Sequence, residues 1–204
     1  MPRRKDSSLT DASREELATA AKRKGAKCAK VIDSGDIVLD RRVRLKCAVP
    51  VCSSYNRHLM CPPNLMPFEE FEGIVRSYRK ALILQVEDQR DSSDRTGGGI
   101  SKELDDSIGP SESQRKLHRI VNEIEAAAFK GGFYLAAGLI AGECLLCGEC
   151  VTPASGRPCR HPFEARPSME AMGIDVCRTC QNAGLSIHLS SREKVRWTGL
   201  ILLD

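Results

Sequence analysis

A run of three cysteines, each separated from the next by two residues, constrains this chain more than any other feature. Cys144, Cys147 and Cys150 form the run, and Cys159 follows further along, directly after Pro158. Three thiolates at this spacing can bind three corners of one cubane cluster, and a more distant cysteine beside a proline can bind the fourth. The pattern therefore predicts an iron–sulfur cluster of the 4Fe–4S type on these four cysteines, in what we call the second cysteine loop (residues 144–159).

Zinc is the main alternative metal for this loop. Structural zinc sites usually combine two separated pairs of Cys or His ligands in a tetrahedron. Two overlapping Cys-x2-Cys steps fit the corners of an iron–sulfur cluster better. Cysteines packed in a core are disfavoured, because Gly142, Gly148 and Gly156 accompany several polar residues here. Zinc therefore stays as the alternative cofactor.

A second group of cysteines, Cys47, Cys52 and Cys61, lies in a proline-rich stretch that we call the first cysteine loop (residues 47–66). Three more thiolates predict a second metal site, so the chain would hold one or two clusters. This group lacks a fourth ligand. The candidates are Cys28, His58, Cys177 and Cys180. If none of them binds, an open iron could act as a Lewis acid on a substrate.

The remaining cysteines carry weaker signals. Cys177 and Cys180 share one face of a predicted helix and could form a redox pair or supply extra ligands. The favoured interpretation is that they are small residues packed under the sheet, and the same holds for Cys28, which has no local partner. For His58, a metal ligand and an exposed loop histidine are equally good interpretations.

Three arginines, Arg157, Arg160 and Arg166, crowd the second cysteine loop. They could offset the negative charge of a thiolate-bound cluster and raise its reduction potential, or bind an anionic substrate or partner. A solvated basic loop is an equally good interpretation, with Glu164 and Glu170 as simple ion-pair partners.

The net charge and the length of the apolar segments argue against nucleic-acid binding and against a membrane-spanning segment. The net charge is only +4, from 31 Lys and Arg against 27 Asp and Glu, without a concentrated basic face. The most apolar stretch, residues 133–141, is well short of the ~20 residues that a membrane span needs. We therefore expect neither nucleic-acid binding nor a membrane-spanning segment.

The ten cysteines also bear on the cellular compartment in which the protein works. No secretory signal is visible, since charged residues open the sequence and no apolar segment follows them. In the reducing cytoplasm, grouped cysteines bind metals or take part in redox chemistry rather than form disulfides. We expect a cytoplasmic protein whose partner is a redox protein or a small-molecule substrate.

Helical and strand patterns alternate along the chain. Apolar residues recur at helical spacing after Pro67 and from Ser111 to Lys130, and short apolar runs indicate strands. The strand candidates are 81–86, 133–140, 185–189 and 197–203, and residues 31–39 are predicted to form a small hairpin or a strand with a turn. Residues 168–183 are predicted to be helical in two pieces, with Asp175 capping the second. We expect an α/β fold of the α+β type, with helices packed on a small mixed sheet and two Cys/Pro-rich metal-binding loops.

The domain organisation follows from composition. Residues 1–25 are predicted to form a flexible polar arm, since apolar residues are few there. Residues 26–204 are predicted to form a single metal-binding domain, a length that one hydrophobic core can serve. Within it, residues 89–109 are polar, contain three consecutive glycines and are expected to form a flexible loop.

Several motifs are similar to those of one known family. They are Lys46-Cys47, Pro50-x-Cys52-x2-Tyr55, Cys61-Pro62-Pro63, Cys144-x2-Cys147-x2-Cys150, Gly156-Arg157-Pro158-Cys159-Arg160-x-Pro162, Arg166-Pro167-Ser168-Met169-Glu170-Ala171-Met172-Gly173-Ile174-Asp175-Val176 and Gly199-Leu200-Ile201-Leu202-Leu203. Over residues 28–204 the chain resembles a domain family of unknown function, common in anaerobic bacteria and archaea, whose members are described as predicted metal-binding proteins. The resemblance implies a metal, in iron–sulfur form, on the seven cysteines of these motifs, and it implies no reaction. Cys28, Cys177 and Cys180 lie outside the motifs.

The sequence supports three hypotheses for function. The first is an iron–sulfur protein that transfers electrons or otherwise gives redox support to an anaerobic enzyme. The second is an enzyme in which an open iron on the first cysteine loop binds an unknown substrate. The third is a zinc-stabilised interaction module. No catalytic residue is assigned, because the sequence has no Ser-His-Asp arrangement, P-loop or dinucleotide-binding pattern.

Overall fold

The computed structural model describes residues 7–88, 112–187 and 194–204, which form five α-helices and four β-strands. The helices are α1 (Ser7–Arg23), α2 (Leu45–Ala48), α3 (Phe68–Ser77), α4 (Glu112–Lys130) and α5 (Val176–Asn182). The strands are β1 (Cys28–Asp33), β2 (Lys80–Glu87), β3 (Ala137–Leu139) and β4 (Arg196–Leu203). No helix in these three ranges is both long and apolar enough to cross a membrane.

The four strands form one sheet in the order β1-β2-β4-β3. The central pair, β2 and β4, is in register from Lys80 opposite Leu203 to Glu87 opposite Arg196. The predicted α+β architecture is confirmed. Among the residues that the structure describes, all strand pairs are antiparallel, and the parallel component expected of a mixed sheet is limited to an isolated bridge between Ile140 and Ser168 beside β3.

Strand β2 fixes the position of the core, because its apolar run is buried on both faces. Side chains alternate between the faces of a strand. Leu82 and Leu84 therefore join the apolar cluster under α1 and α4, whereas Ala81 and Ile83 join the cluster that contains α3 and residues 169–185. The second cysteine loop begins a few residues after β3, at the edge of this two-layered core.

Helix α1 packs on the sheet. Leu17, Ala18 and Ala21 are buried in the same cluster as α4. The described part of the flexible arm predicted at residues 1–25 is thus a packed helix followed by a short turn. Small buried side chains carry little apolar signal in a sequence, which is why the packing was not predicted. The flexible loop predicted at 89–109 lies outside the described residues, and the division into domains stays a prediction.

Some predicted elements are shorter in the structure. The strand predicted at 133–140 is shorter in the structure, where β3 spans only Ala137–Leu139. Phe133 belongs to the end of helix α4 instead, because its N–H donates to Ala128 O at 3.0 Å. Of the two helical pieces predicted in residues 168–183, the second is present as α5 and is capped as predicted by Asp175, whose side chain accepts the N–H of Arg178. The first piece is a turn. Of the strand predicted at 185–189, residues 185–187 are irregular and the other two lie outside the described ranges.

Candidate metal centre

The structure brings the four cysteines of the second cysteine loop together. Cys144, Cys147, Cys150 and Cys159 line one small cavity of about 10 Å³. The other lining residues are Leu59, Met60, Leu146, His161 and Ala165. The potential metal ligands that line this cavity are thus mainly soft sulfur atoms, and apolar side chains surround them. Such a set suits iron–sulfur clusters and zinc, and it does not suit magnesium or calcium, which require oxygen ligands.

Backbone contacts hold the entry to this loop in place. Ile140 N–H donates to Pro167 O at 3.0 Å, and Arg115 Nη1 donates to Leu145 O at 2.7 Å. Gly142 adopts a φ of +69°, and a Cβ at this position would come within 2.6 Å of Gln114 Nε2. The chain therefore needs glycine just before Cys144 to turn towards the cavity against helix α4.

Two contacts bear on the charge of the thiols in this loop. Burial raises the pKa of Cys144, and a hydrogen bond from the backbone of Leu146 opposes that rise. The His161 N–H donates to Cys159 Sγ at 3.3 Å. Backbone N–H groups that point at sulfur stabilise thiolate ligands and tune the potential of iron–sulfur clusters.

The first cysteine loop is organised by tight turns. Cys47 lies in the short helix α2, and its carbonyl accepts the N–H of Cys52 at 3.1 Å. The N–H of Cys61 donates to His58 O at 3.1 Å. Ser54, which is buried, donates its hydroxyl to the carboxylate of Glu143. This bond ties the first cysteine loop to the residue that precedes Cys144.

The environment of two first-loop thiols raises their pKa values. Burial, reinforced by the negative charges of Cys52, Glu143, Cys47 and Cys144 in that order, raises the pKa of Cys61 to about 12. Burial likewise raises the pKa of Cys47, with Cys52 and Glu170 as the next contributors. The structure places the two cysteine loops near each other, since Ser54 bonds to Glu143 and Leu59 and Met60 line the cavity of the second loop.

The loop arginines do not all face the cavity. Arg166 is bound to Glu125 by Nε at 2.7 Å and by Nη2 at 2.9 Å, and both side chains are largely buried. Arg160 Nη1 donates to Glu149 O at 2.7 Å, within the loop itself. Arg166 therefore has a structural partner on helix α4, and the expected pairing of Glu170 with the loop arginines is not present in the described contacts.

The remaining cysteines lie away from the cavity. Cys28 Sγ donates to Gln85 Oε1 at 3.1 Å, and the same amide reaches Cys180 Sγ through Nε2 at 3.6 Å. Cys180 is 0% exposed, and burial raises its pKa to about 11. Cys177, on the same helix, is half-buried. Cys28 and Cys180 thus belong to a polar group between the sheet and α5.

His58 lies beside Glu143 in the first cysteine loop. Its Nε2 is 4.0 Å from Glu143 Oε2, and its Nδ1 is buried without a hydrogen-bond partner. His118, on α4, is buried with Nε2 2.9 Å from Glu164 O, as expected of a satisfied histidine. His188 lies outside the described residues.

Glu143, which contacts Ser54 and His58, was not predicted from the sequence, and Glu170 was predicted only as an ion-pair partner of the loop arginines. The structure gives Glu170 a different environment. Its Oε2 is buried without a hydrogen-bond partner, and burial raises the pKa of this carboxyl. The sequence did hold a signal, because Glu170 stands between Met169 and Ala171, in an otherwise apolar stretch. A single acid in such a stretch is informative, since carboxylates are rarely buried unless they are paired.

Comparisons with known proteins agree with a metal site in general terms. The profile of a family described as "Predicted metal-binding protein" (DUF2284) matches residues 30–203. No significant match is found among curated proteins or among solved structures. Within the described residues, no three His, Cys, Asp or Glu side chains converge closely enough to hold a single metal ion.

Proposed function

Because the chain belongs to the family of predicted metal-binding proteins, we propose that it is an iron–sulfur protein with a redox function. Cys144, Cys147, Cys150 and Cys159 bind a 4Fe–4S cluster, and Cys47, Cys52 and Cys61 form a second metal site. The protein transfers electrons or gives redox support to an anaerobic enzyme. Its compartment is the reducing cytoplasm, and its partner is a redox protein or the small-molecule substrate of that enzyme.

One observation carries this proposal: four thiols from an irregular loop line the same cavity. Four cysteine thiolates are the standard ligands of cubane clusters. Leu59 and Met60 from the first cysteine loop also line the cavity, so apolar side chains limit water around the cluster. Low water access and backbone N–H groups near sulfur are the features by which proteins set the potential of such a cluster.

Absorption spectroscopy of matched cysteine variants tests the assignment. Protein purified without oxygen should show a broad band near ~400 nm from sulfide-to-iron charge transfer. Cys147→Ser should lose most of this band, because it removes one ligand from the cavity. Cys28→Ser is the control, since Cys28 is also half-buried but bonds to Gln85. Equal bands in the two variants would contradict the ligand assignment.

An enzyme with an open iron is the second candidate. It is favoured by the first cysteine loop, where only three thiols are grouped and the fourth position would be free for a substrate heteroatom. Added thiols or candidate substrates would then change the paramagnetic spectrum of the reduced protein. A spectrum that stays unchanged on these additions would exclude the enzyme with an open iron.

A zinc-stabilised interaction module is the third candidate, since the same thiols suit tetrahedral zinc. Such a module would be colourless and would unfold on chelation without a redox signal. Metal analysis of the purified protein separates it directly from the first two candidates.

A further inference from the structure

The first cysteine loop and the short segment before it carry a group of exposed apolar side chains. Leu45, Val49 and Val51 are 59%, 66% and 71% exposed, and all three lie within seven residues of chain. Met66, at the other end of the loop, is 39% exposed. Single exposed apolar residues need no explanation, whereas a group of them indicates a binding surface. We call Leu45, Val49, Val51 and Met66 the apolar patch.

Local contacts hold the parts of the apolar patch together. Val49 N–H donates to Leu45 O at 2.8 Å, so this end of the patch is a closed turn. Arg44 Nη1 lies 3.5 Å from Met66 O, and this contact brings the end of the loop next to its start. The apolar patch is therefore a surface that the fold defines.

The chain around the apolar patch is basic. Residues 40–66 contain five Lys or Arg residues and one acid, so their formal charge of +4 equals that of the whole chain. The single acid, Asp40, pairs with Arg42, and Arg41 pairs with Glu69 of α3. The other cations of this segment form no ion pair with any described residue, and they are Arg44, Lys46 and Arg57. The patch thus has positive charge beside it that no ion pair offsets.

The loop that carries the apolar patch also borders the four-cysteine cavity. Leu59 and Met60 line that cavity, and Ser54 bonds to Glu143 beside Cys144. A partner seated on this loop would therefore stand next to the proposed cluster. Redox chemistry depends on how the fold positions a redox centre against its partner.

We propose that the apolar patch and the cations beside it form the docking surface for an acidic electron-carrier protein. The inference rests on the proposed redox function and names the partner of that function. Protein interfaces have an apolar centre and a polar rim, and those of electron-transfer complexes are small. The positive charge favours an acidic partner and speeds the encounter. The step moves one electron between the carrier and the cluster, and no bond forms or breaks.

The character of the apolar patch disfavours other occupants. Membrane-surface segments are amphipathic helices, whereas residues 49–67, all of which the structure describes, form no helix or strand. Single-stranded nucleic acids stack their bases on aromatic side chains, and the patch contains none. A second copy of the chain would bring two positive surfaces together. An acidic protein suits both the apolar centre and the charge.

A binding titration with an acidic plant-type ferredoxin, immobilised on a biosensor, tests the docking surface. The full-length protein purified without oxygen should bind this probe at low ionic strength, and salt should weaken the binding. Lys46→Glu combined with Arg57→Glu should weaken binding by about tenfold or more and reduce its salt dependence. Val49→Ser combined with Val51→Ser should weaken binding at low and at high salt, because salt does not screen apolar contacts.

Matched variants outside the apolar patch are the controls. Phe129 is 63% exposed at the end of α4, and the next residue, Lys130, is an exposed cation. Phe129→Ser and Lys130→Glu should bind the probe as the parent chain does. Denaturant unfolding should give the parent's stability for all these variants, since the changed side chains are exposed.

Each result supports or overturns the docking surface. Parent-like binding in the two first-loop variants overturns it, as does an equal loss of affinity in the α4 controls. A parent chain that does not bind the ferredoxin at low salt also overturns it. Binding only to anionic phospholipid vesicles, abolished by the Lys46 and Arg57 substitutions, would assign the surface to a membrane instead.

The proposed function fails by a different observation. A parent protein without the band near ~400 nm has no iron–sulfur cluster, whether or not it binds the ferredoxin. A protein that has this band, and whose ferredoxin binding does not depend on the first-loop side chains, keeps the redox function and loses the docking surface.

Discussion

At the scale of single residues, burial decides the chemistry of the cysteines. It raises the pKa of Cys144 and Cys47, and it raises that of Cys61 to about 12. Without metal, these thiols are therefore protonated at neutral pH and cost little to bury. Because burial disfavours their thiolate forms, the metal-free fold keeps its full stability below the reference pKa of 9.0 and loses stability as the pH rises above it. For Cys61 this loss continues to about pH 12.

The same shifts predict how metal binding depends on pH. Each thiol must lose its proton to become a ligand, so metal competes with protons. Apparent affinity should rise by about tenfold per pH unit for each proton released, between about pH 6.5 and about pH 8.5. Competition with a chelator of known affinity at several pH values measures this slope. Affinity that is independent of pH would show that the ligands are already ionised or are not thiols.

At the scale of secondary structure, the strands that contain long apolar runs were predicted correctly, whereas the turns were not. The runs at 81–86 and 197–203 are confirmed as parts of β2 and β4, because a central strand buried on both faces reads as a continuous apolar segment. The segment before α5 was predicted as helix from local pattern. It forms a turn instead, because Ser168 bridges Ile140, a contact that local sequence does not encode.

The packing of α4 on β4 gives a prediction at this scale. A Cβ on Gly199 would lie 2.8 Å from Val121 Cγ2 and 3.1 Å from the Leu139 carbonyl. Gly199→Ala should therefore lower the free energy of unfolding by about 1–3 kcal/mol. Denaturant unfolding of the metal-free protein measures the change.

Gly73, inside helix α3, is the control for that prediction. A Cβ there would meet nothing within 4 Å, so Gly73→Ala should raise the free energy of unfolding by about 0.5–1 kcal/mol. If Gly199→Ala leaves the free energy of unfolding unchanged or raises it as Gly73→Ala does, the close approach of α4 to β4 is incorrect.

At the scale of the whole molecule, the fold joins two cysteine loops that are distant in sequence. Leu59 and Met60 of the first loop line the cavity of the second, and Ser54 bonds to Glu143 beside Cys144. Cysteine spacing predicted each of the two cysteine groups separately, because neighbouring ligands of one metal site are often only a few residues apart in the sequence. Spacing could not reveal how the loops meet, since only the tertiary fold brings Ser54 of the first loop to Glu143.

The composition of the protein purified without oxygen tests the central claim most directly. Iron, acid-labile sulfide and zinc should be quantified per chain in the parent protein. We expect iron and sulfide in about equal amounts, consistent with at least one 4Fe–4S cluster, and little zinc. A colourless protein that contains stoichiometric zinc and no sulfide would contradict the account.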